Sequence, residues 1–294
     1  MKTVPAKTIV TRNKSGAWFG GDYNMNLYRG CCHGCIYCDS RSSCYGDPEF
    51  DTVKIKENAL TLVANDLRRK VRRGVVATGS MSDPYNPFEE QMLQTRHALE
   101  LLSAYGFGVA IATKSPLITR DIDVIKEIQE QAPVLAKITI TTADDALCKT
   151  IERNVAPSSE RFEALRQLST AGIPCGVLLM PLLPFLNDTE ENVRSIVRQA
   201  AESGACFVYP GFAVTLRDNQ RAYYYDRLDE IDPTLRQRYS KTYGSTYACA
   251  PPHAKQLYRA FEQACNEHDL LWRMRDIVSH YKSGYEPQQL SFLD

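Results

Sequence analysis

Apolar residues recur along the chain in two periods. Short, near-continuous apolar runs at 26–29, 75–79, 108–113, 136–141, 175–180 and 206–214 read as strands. Between them, apolar positions three and four apart mark amphipathic helices. One carries Leu60, Val63, Ala64, Leu67 and Val71, and another runs from Met92 to Leu102. A third carries Ile122, Val124, Ile125 and Ile128, and a fourth, with Phe162, Leu165 and Leu168, stops at Gly172. Before Val193, Ile196, Val197 and Ala200, Asp188 and Glu191 have the spacing of a capping box.

Strands alternating with such helices imply parallel strands with helices outside, and strands apolar on both faces fit a sheet covered on both sides. The reading is α/β: a partial (β/α)6 TIM-type barrel at 24–216. An N-terminal extension occupies 1–23, a C-terminal extension over the open barrel side 217–283, and a tail 284–294. Sites in barrels of this kind lie at the C-terminal strand ends. Polar residues gather there: the loop from Cys31 to Cys38, then Ser80, Ser82 and Asp83, Lys114 and Ser115, Thr141, Thr142 and Asp144, and Thr215 and Arg217.

Composition narrows the setting. With 294 residues and 44% apolar content the chain can bury a sizeable core. A formal net charge of zero removes any global attraction for polyanions, though not a local basic groove. Arg68, Arg69, Lys70, Arg72 and Arg73 close the first helix, either as a solvated end whose cations suit the dipole or as a phosphate-binding patch. No apolar run approaches a membrane span, the first fifteen residues have no leader-like character, and ten cysteines do not suit secretion. A cytoplasmic protein without membrane contact is expected.

Cys31, Cys35 and Cys38 fall within eight residues, spaced four and then three apart. Thiolates so placed can grip three corners of a 4Fe-4S cluster and leave the fourth iron open to a substrate or cofactor. The other reading is zinc, with Cys44 or His33 as fourth ligand, but zinc ligands usually come as two separated pairs and no second pair is present.

The Cys-x3-Cys-x2-Cys pattern with Tyr37 before its last cysteine resembles the signature of radical S-adenosylmethionine (SAM) enzymes. The Gly79-Ser80-Met81-Ser82-Asp83-Pro84-Tyr85 turn, Thr113-Lys114-Ser115 and Ala156-Pro157-Ser158 resemble the spore photoproduct lyase-like branch, over roughly residues 24 to 215. The resemblance implies that SAM chelates the open iron and is cleaved by one electron to a 5′-deoxyadenosyl radical, which abstracts hydrogen from a substrate. The electron would come from a donor such as flavodoxin or ferredoxin. It also implies Tyr37 near the adenine, Gly79, Ser80, Ser82 and Asp83 in the turn that receives the SAM amino group, Lys114 on its carboxylate, and Thr141 or Thr142 on ribose or carboxylate. Strand-end turns, a solvent lysine and capping threonines are the plainer readings of the same residues. The lyase that repairs spore photoproduct returns hydrogen from a cysteine beside the second strand end. Here that region is Thr78-Gly79-Ser80-Met81-Ser82. Cys249 is the alternative donor, with Tyr224 as a relay, although a buried free cysteine is the plainer role.

After Arg217, tyrosines interleave with arginines (Tyr223, Tyr224 and Tyr225 beside Arg221 and Arg227), a composition that suits base stacking and phosphate contact as well as ordinary packing. A helix is expected at about 253–268. The closing Gln289-Leu290-Ser291-Phe292-Leu293 resembles the peptide by which bacterial DNA repair proteins dock on the sliding clamp, with the last two apolar residues reversed. Together these favour DNA, a pyrimidine lesion, as substrate. A peptide or small metabolite is the alternative substrate, and a zinc- or cluster-stabilised nucleic-acid-binding module the non-enzymatic alternative.

Overall fold

The computed structural model describes residues 2–14 and 18–285. In chain order the strands are β1 (Lys2–Val4), β2 (Val10–Arg12), β3 (Tyr23–Met25), β4 (Tyr28–Arg29), β5 (Lys54–Lys56), β6 (Val75–Thr78), β7 (Gly108–Thr113), β8 (Val134–Thr139), β9 (Cys175–Leu179), β10 (Phe207–Pro210), β11 (Val214–Thr215) and β12 (Ala248–Cys249). The α-helices are α1 (Ala59–Arg68), α2 (Glu89–Met92), α3 (Gln94–Ala104), α4 (Ile122–Gln129), α5 (Asp145–Ile151), α6 (Ser158–Thr170), α7 (Glu190–Glu202), α8 (Asp218–Ile231), α9 (Pro233–Tyr243), α10 (Ala254–Glu267) and α11 (Met274–Lys282).

The main sheet runs β10-β9-β8-β7-β6-β3-β2. Its strands from β3 to β10 pair in parallel, each next to its successor, and β2 adds antiparallel to β3. Such a sequential parallel order, with helices between strands, is the open TIM-type arrangement expected; among the described residues β10 does not pair with β3 and the barrel does not close.

Alternation along the strands separates two apolar layers. Tyr23, Met25, Val76, Ile111, Ala136, Ile138 and Val177 pack under the helices. Val75, Ala110, Leu135, Leu178 and Phe207 point the other way, into the concave interior, where Phe19, Ile277 and Tyr281 meet them. Phe19 is wholly buried, and its carbonyl accepts from the Tyr281 hydroxyl at 2.7 Å. The open side is thus filled by the N-terminal Phe19 and by α11, a helix the sequence reading did not identify.

Several boundaries differ from expectation. The strand that delivers the cysteine loop is β3, not 26–29: Tyr28 and Arg29 turn away to pair with Ile55 and Lys54 in a small separate sheet. The run at 206–214 divides after Pro210, where Gly211 follows, and Val214 pairs instead with Cys249. The α7 cap is Thr189, whose Oγ1 accepts from Asn192 N at 3.1 Å, while Asp188 accepts from Phe185 N.

Candidate active site

The cysteine loop is shaped by close backbone approach. Gly30 takes φ +77°, and a Cβ there would lie 2.3 Å from the Thr52 carbonyl oxygen. Cys31 N then donates to Phe50 O at 2.7 Å, Ile36 N to Ile151 O at 3.0 Å, and Asn154 Nδ2 to Cys32 O at 2.9 Å. The loop is therefore held from both flanks before any cofactor binds. Cys31, Cys35 and Cys38 are all free thiols. Burial, and then the charges of Asp83 and of Cys38, push the Cys31 thiol up to about 12. Burial likewise raises Cys35, against the opposing pull of Lys114, with Cys38 and Cys31 adding to the rise.

Among the described residues no three His, Cys, Asp or Glu side chains converge on a single metal position. That does not conflict with a cluster, whose corners hold each thiolate on a different iron. The donor set fits: mutually interacting thiols that burial keeps protonated until metal displaces the proton.

The other strand ends meet this loop. At Gly79, φ is +94° and a Cβ would sit 1.8 Å from Ala112 O, so only glycine brings β6 this close to β7. Ser82 Oγ donates to Gly30 O at 2.5 Å, tying the glycine turn to the cysteine loop. Asp83 accepts from Tyr85 N, Thr113 Oγ1 and Lys114 N at 2.9, 2.6 and 2.8 Å and lies 3.5 Å from His33 Nδ1, so it braces the turn. Ser80 is exposed beside it. Lys114 Nζ stands 5.8 Å from the centre of the Tyr37 ring. Burial would lower the Lys114 ammonium, but the charges of Cys35, Glu152 and Asp83 hold it above the ordinary lysine value. Thr141 is wholly buried and its hydroxyl has no hydrogen-bond partner, whereas the Thr142 hydroxyl accepts from Asp144 N at 3.2 Å. A half-buried cation beside the thiols and an unmatched hydroxyl at the next strand end fit an amino-acid carboxylate bound at the rim.

Two residues of this site were not visible in the sequence. Glu152 receives the Tyr37 hydroxyl and pairs with Arg161 at 2.6 Å, with neither charged side chain exposed. Arg161 also donates to Thr139 O and Ala156 O, at 2.9 and 2.8 Å. Glu152 follows the last residue of α5 and Arg161 lies in α6, so no local motif joins them; the Ala156-Pro157-Ser158 link between is the only sequence signal nearby.

The C-terminal candidates lie further back. Tyr224 and Cys249 are wholly buried in an apolar cluster that also contains Cys35, Ile36 and Tyr37. The Tyr224 and Tyr239 hydroxyls are 2.8 Å apart. The interleaved arginines are largely engaged: Arg221 with the Leu216, Gly244 and Thr246 carbonyls, Arg236 with Asp226 and Asp229. α8 packs on the cysteine loop, with Gln220 Nε2 donating to Tyr37 O at 3.2 Å. The basic run after α1 lines a cleft of about 1150 Å³ at the opposite end of the sheet, together with Arg12, Lys14 and Lys282. Gln289, Leu290, Ser291, Phe292 and Leu293 lie outside the described residues. No helix among the described residues is long and apolar enough to cross a membrane.

A family model described as the radical SAM superfamily matches residues 25–197. An uncharacterized protein of Mycobacterium tuberculosis is 32% identical over 247 residues, covering 82% of this chain and 72% of its own. One from Methanocaldococcus jannaschii is 32% identical over 174 residues, covering 58% and 64%. Among solved structures, spore photoproduct lyase complexed with dinucleoside spore photoproduct superposes with a TM-score of 0.65 at 14% identity, covering 88% of this chain and 76% of that one. A mutant of that lyase with bound AdoMet and dinucleoside spore photoproduct gives 0.63 at 13% identity, covering 84% and 74%. At such identities the likeness is one of fold.

Proposed function

The chain belongs to the radical SAM superfamily, and from that premise we propose that it binds a 4Fe-4S cluster on Cys31, Cys35 and Cys38 and acts on a nucleic-acid substrate, a pyrimidine lesion in DNA. When bound, the reduced cluster and SAM supply a 5′-deoxyadenosyl radical for hydrogen abstraction. The protein's part is to hold and exclude. Lys114 pairs with the SAM carboxylate, the Thr141 hydroxyl offers a hydrogen bond at the same rim, and the Gly79 turn admits the amino group. Tyr37, fixed by Glu152, walls the adenine side. Cys249 would return hydrogen to the substrate radical by breaking its S–H bond, leaving a thiyl radical, with Tyr224 beside it in the buried cluster that also contains Tyr37.

The observation that carries the reading is the convergence of three free, mutually interacting thiols with the half-buried Lys114. DNA as substrate is supported by the fold the chain shares with a lyase solved with a dinucleoside lesion. The test is anaerobic: reconstitute with iron and sulfide, reduce, add SAM, and follow 5′-deoxyadenosine with and without ultraviolet-damaged duplex. Stimulation by damaged DNA supports the reading. Formation indifferent to DNA redirects the substrate to a peptide or metabolite, and no formation from an intact cluster protein overturns the enzymatic reading. Alanine in place of Cys31, Cys35 or Cys38 should abolish both iron binding and SAM cleavage, while Cys44→Ala should spare both.

A further inference from the structure

The basic run that closes α1 is a motif that the cysteine site does not use. It lines the cleft of about 1150 Å³, whose walls come from β2 and the turn into β3, the segment between α1 and β6, the starts of β7 and β8 and the end of α11. These are the N-terminal strand ends. β7 has six residues at about 3.3 Å each, so its cleft end and its Lys114 end are about 20 Å apart. Chemistry in barrels of this kind sits at the other end, and neither a cluster nor SAM there accounts for cations here.

The cleft is a built feature. The Tyr23 hydroxyl donates to Arg72 O at 2.8 Å, Lys70 Nζ to Val10 O at 2.9 Å and Lys282 Nζ to Gly20 O at 2.5 Å, so segments distant in sequence are tied together around it. Gly21, Gly74, Gly106 and Gly108 also line it and leave the space between its walls open. Arg12, Lys14, Arg69 and Arg72 are exposed, and among the described residues no carboxylate pairs with them. Cations gathered in this way repel one another, a cost that an anionic partner removes.

The walls also select among anions. Exposed cations drawn from several segments of one groove suit a partner that repeats its phosphates, not a single enclosed phosphate group. A single strand binds largely by stacking its bases on aromatic faces. The aromatic side chains here offer none: Tyr23 is buried, with Lys70 Nζ 5.4 Å from its ring centre, and the Tyr285 hydroxyl is committed to Gln129 O at 2.6 Å. An anionic membrane takes up a broad apolar face, and among the described residues Val71 is the one exposed large apolar side chain in the lining. A duplex needs only cations set along its backbone.

We propose that this cleft is a second nucleic-acid contact, which holds the phosphate backbone of a duplex independently of sequence at the end of the sheet opposite the cysteine loop. This deepens the nucleic-acid reading and rests on it. The segment held here is not the one that reacts; it keeps the protein on undamaged duplex, so that the reactive end meets a lesion at high effective concentration.

The test is fluorescence anisotropy of a labelled, undamaged duplex with reconstituted holoprotein. Wild-type protein should bind it, and Arg12→Glu combined with Arg69→Glu should weaken binding by at least about tenfold, because two phosphate contacts become repulsions. Lys255→Glu combined with Arg259→Glu makes the same change of charge on exposed residues of α10, outside the cleft, and should leave affinity near wild type. Iron content and thermal midpoint report folding; if the Arg12 and Arg69 reversal loses its iron, Arg12→Gln with Arg69→Gln carries the decision, with an effect of the same sign. No binding by wild-type protein, or equal weakening by the α10 pair, overturns the assignment. So does displacement of the duplex by poly-glutamate as readily as by unlabelled duplex, which makes the occupant an acidic protein, or by phosphatidylserine vesicles, which makes it a membrane. 5′-Deoxyadenosine formation with damaged duplex is measured in parallel. Stimulated formation alongside cleft-independent binding sinks the cleft alone, and cleft-dependent binding without stimulation sinks the substrate reading alone.

Discussion

Glu152 and Arg161 form a 2.6 Å ion pair with no exposed side-chain surface on either partner, and the same Glu152 carboxylate holds the Tyr37 hydroxyl, one residue before Cys38. Taking two charges out of water is costly unless both are fully bonded, and here the remaining Arg161 donors reach Thr139 O and Ala156 O. The pair therefore ties α6 and the β8 end to the back of the cysteine loop. Removing one partner leaves the other charge buried and uncompensated. Arg161→Leu should destabilise the protein by about 3–5 kcal/mol, as broken buried pairs do. Urea unfolding of the apoprotein measures this, and iron content after reconstitution should fall with it. A midpoint equal to wild type would show that Glu152 is held without Arg161.

Gly79 should not tolerate a side chain. The +94° φ and the 1.8 Å approach of an added Cβ to Ala112 O act together, because the turn cannot relax without lifting β6 off β7. Strained backbone of this kind costs about 1–3 kcal/mol per residue. Gly79→Ala is expected to lower the thermal midpoint and to weaken SAM binding to the reconstituted protein, measured by equilibrium dialysis. Gly172, where an added Cβ meets nothing within 4 Å, is the control: its positive φ alone should produce a smaller shift.

The α/β order, the parallel sheet and the grouping of Cys31, Gly79, Lys114 and Thr141 at one end were legible because each depends on local periodicity and on strand direction. What was not legible depends on contacts distant in sequence. Tyr28 looked like the inner strand because it is apolar, and only its pairing with Ile55 shows otherwise. Lys137 broke the apolar pattern of its strand without attracting notice, since one lysine in a strand is ordinarily an edge or surface residue. Phe19 and α11 fill the lumen from opposite chain ends. The tyrosines after Arg217 read equally well as a stacking surface or as packing; Tyr224 and Tyr239 are wholly buried.

Asp66 gives a pH dependence whose sign is fixed. Burial alone would raise its carboxyl, but bonds from Ile9 N, Val10 N and Thr8 Oγ1, at 2.7, 2.9 and 2.8 Å, and the charge of Lys70 hold it below the ordinary value. A depressed folded value contributes stability that is present above the unfolded value, about 3.9, and is lost as pH falls through the folded one. Asp66→Asn should therefore be less stable than wild type at neutral pH, with the difference shrinking as the solution is acidified below that unfolded value. Urea unfolding of both apoproteins across this range measures it. A difference that does not change with pH would assign the effect to geometry, not charge.

The basic cleft yields a prediction about salt. Arg12, Lys14, Arg69 and Arg72 line it and, among the described residues, none of them forms an ion pair. Among the described residues Asp22 and Glu130 are the only carboxylates in its wall, so phosphates approaching it meet a strongly positive surface although the whole chain is neutral. If duplex DNA lies along this face, each phosphate neutralised releases counterions, and the logarithm of affinity falls with the logarithm of salt by about 0.9 per contact. Arg69→Ala combined with Arg72→Ala should weaken binding of a labelled duplex and flatten that slope by about two units. Both side chains are exposed, so folding and iron content should be unaffected. An unchanged slope would place the duplex elsewhere and leave these arginines as the solvated end of α1.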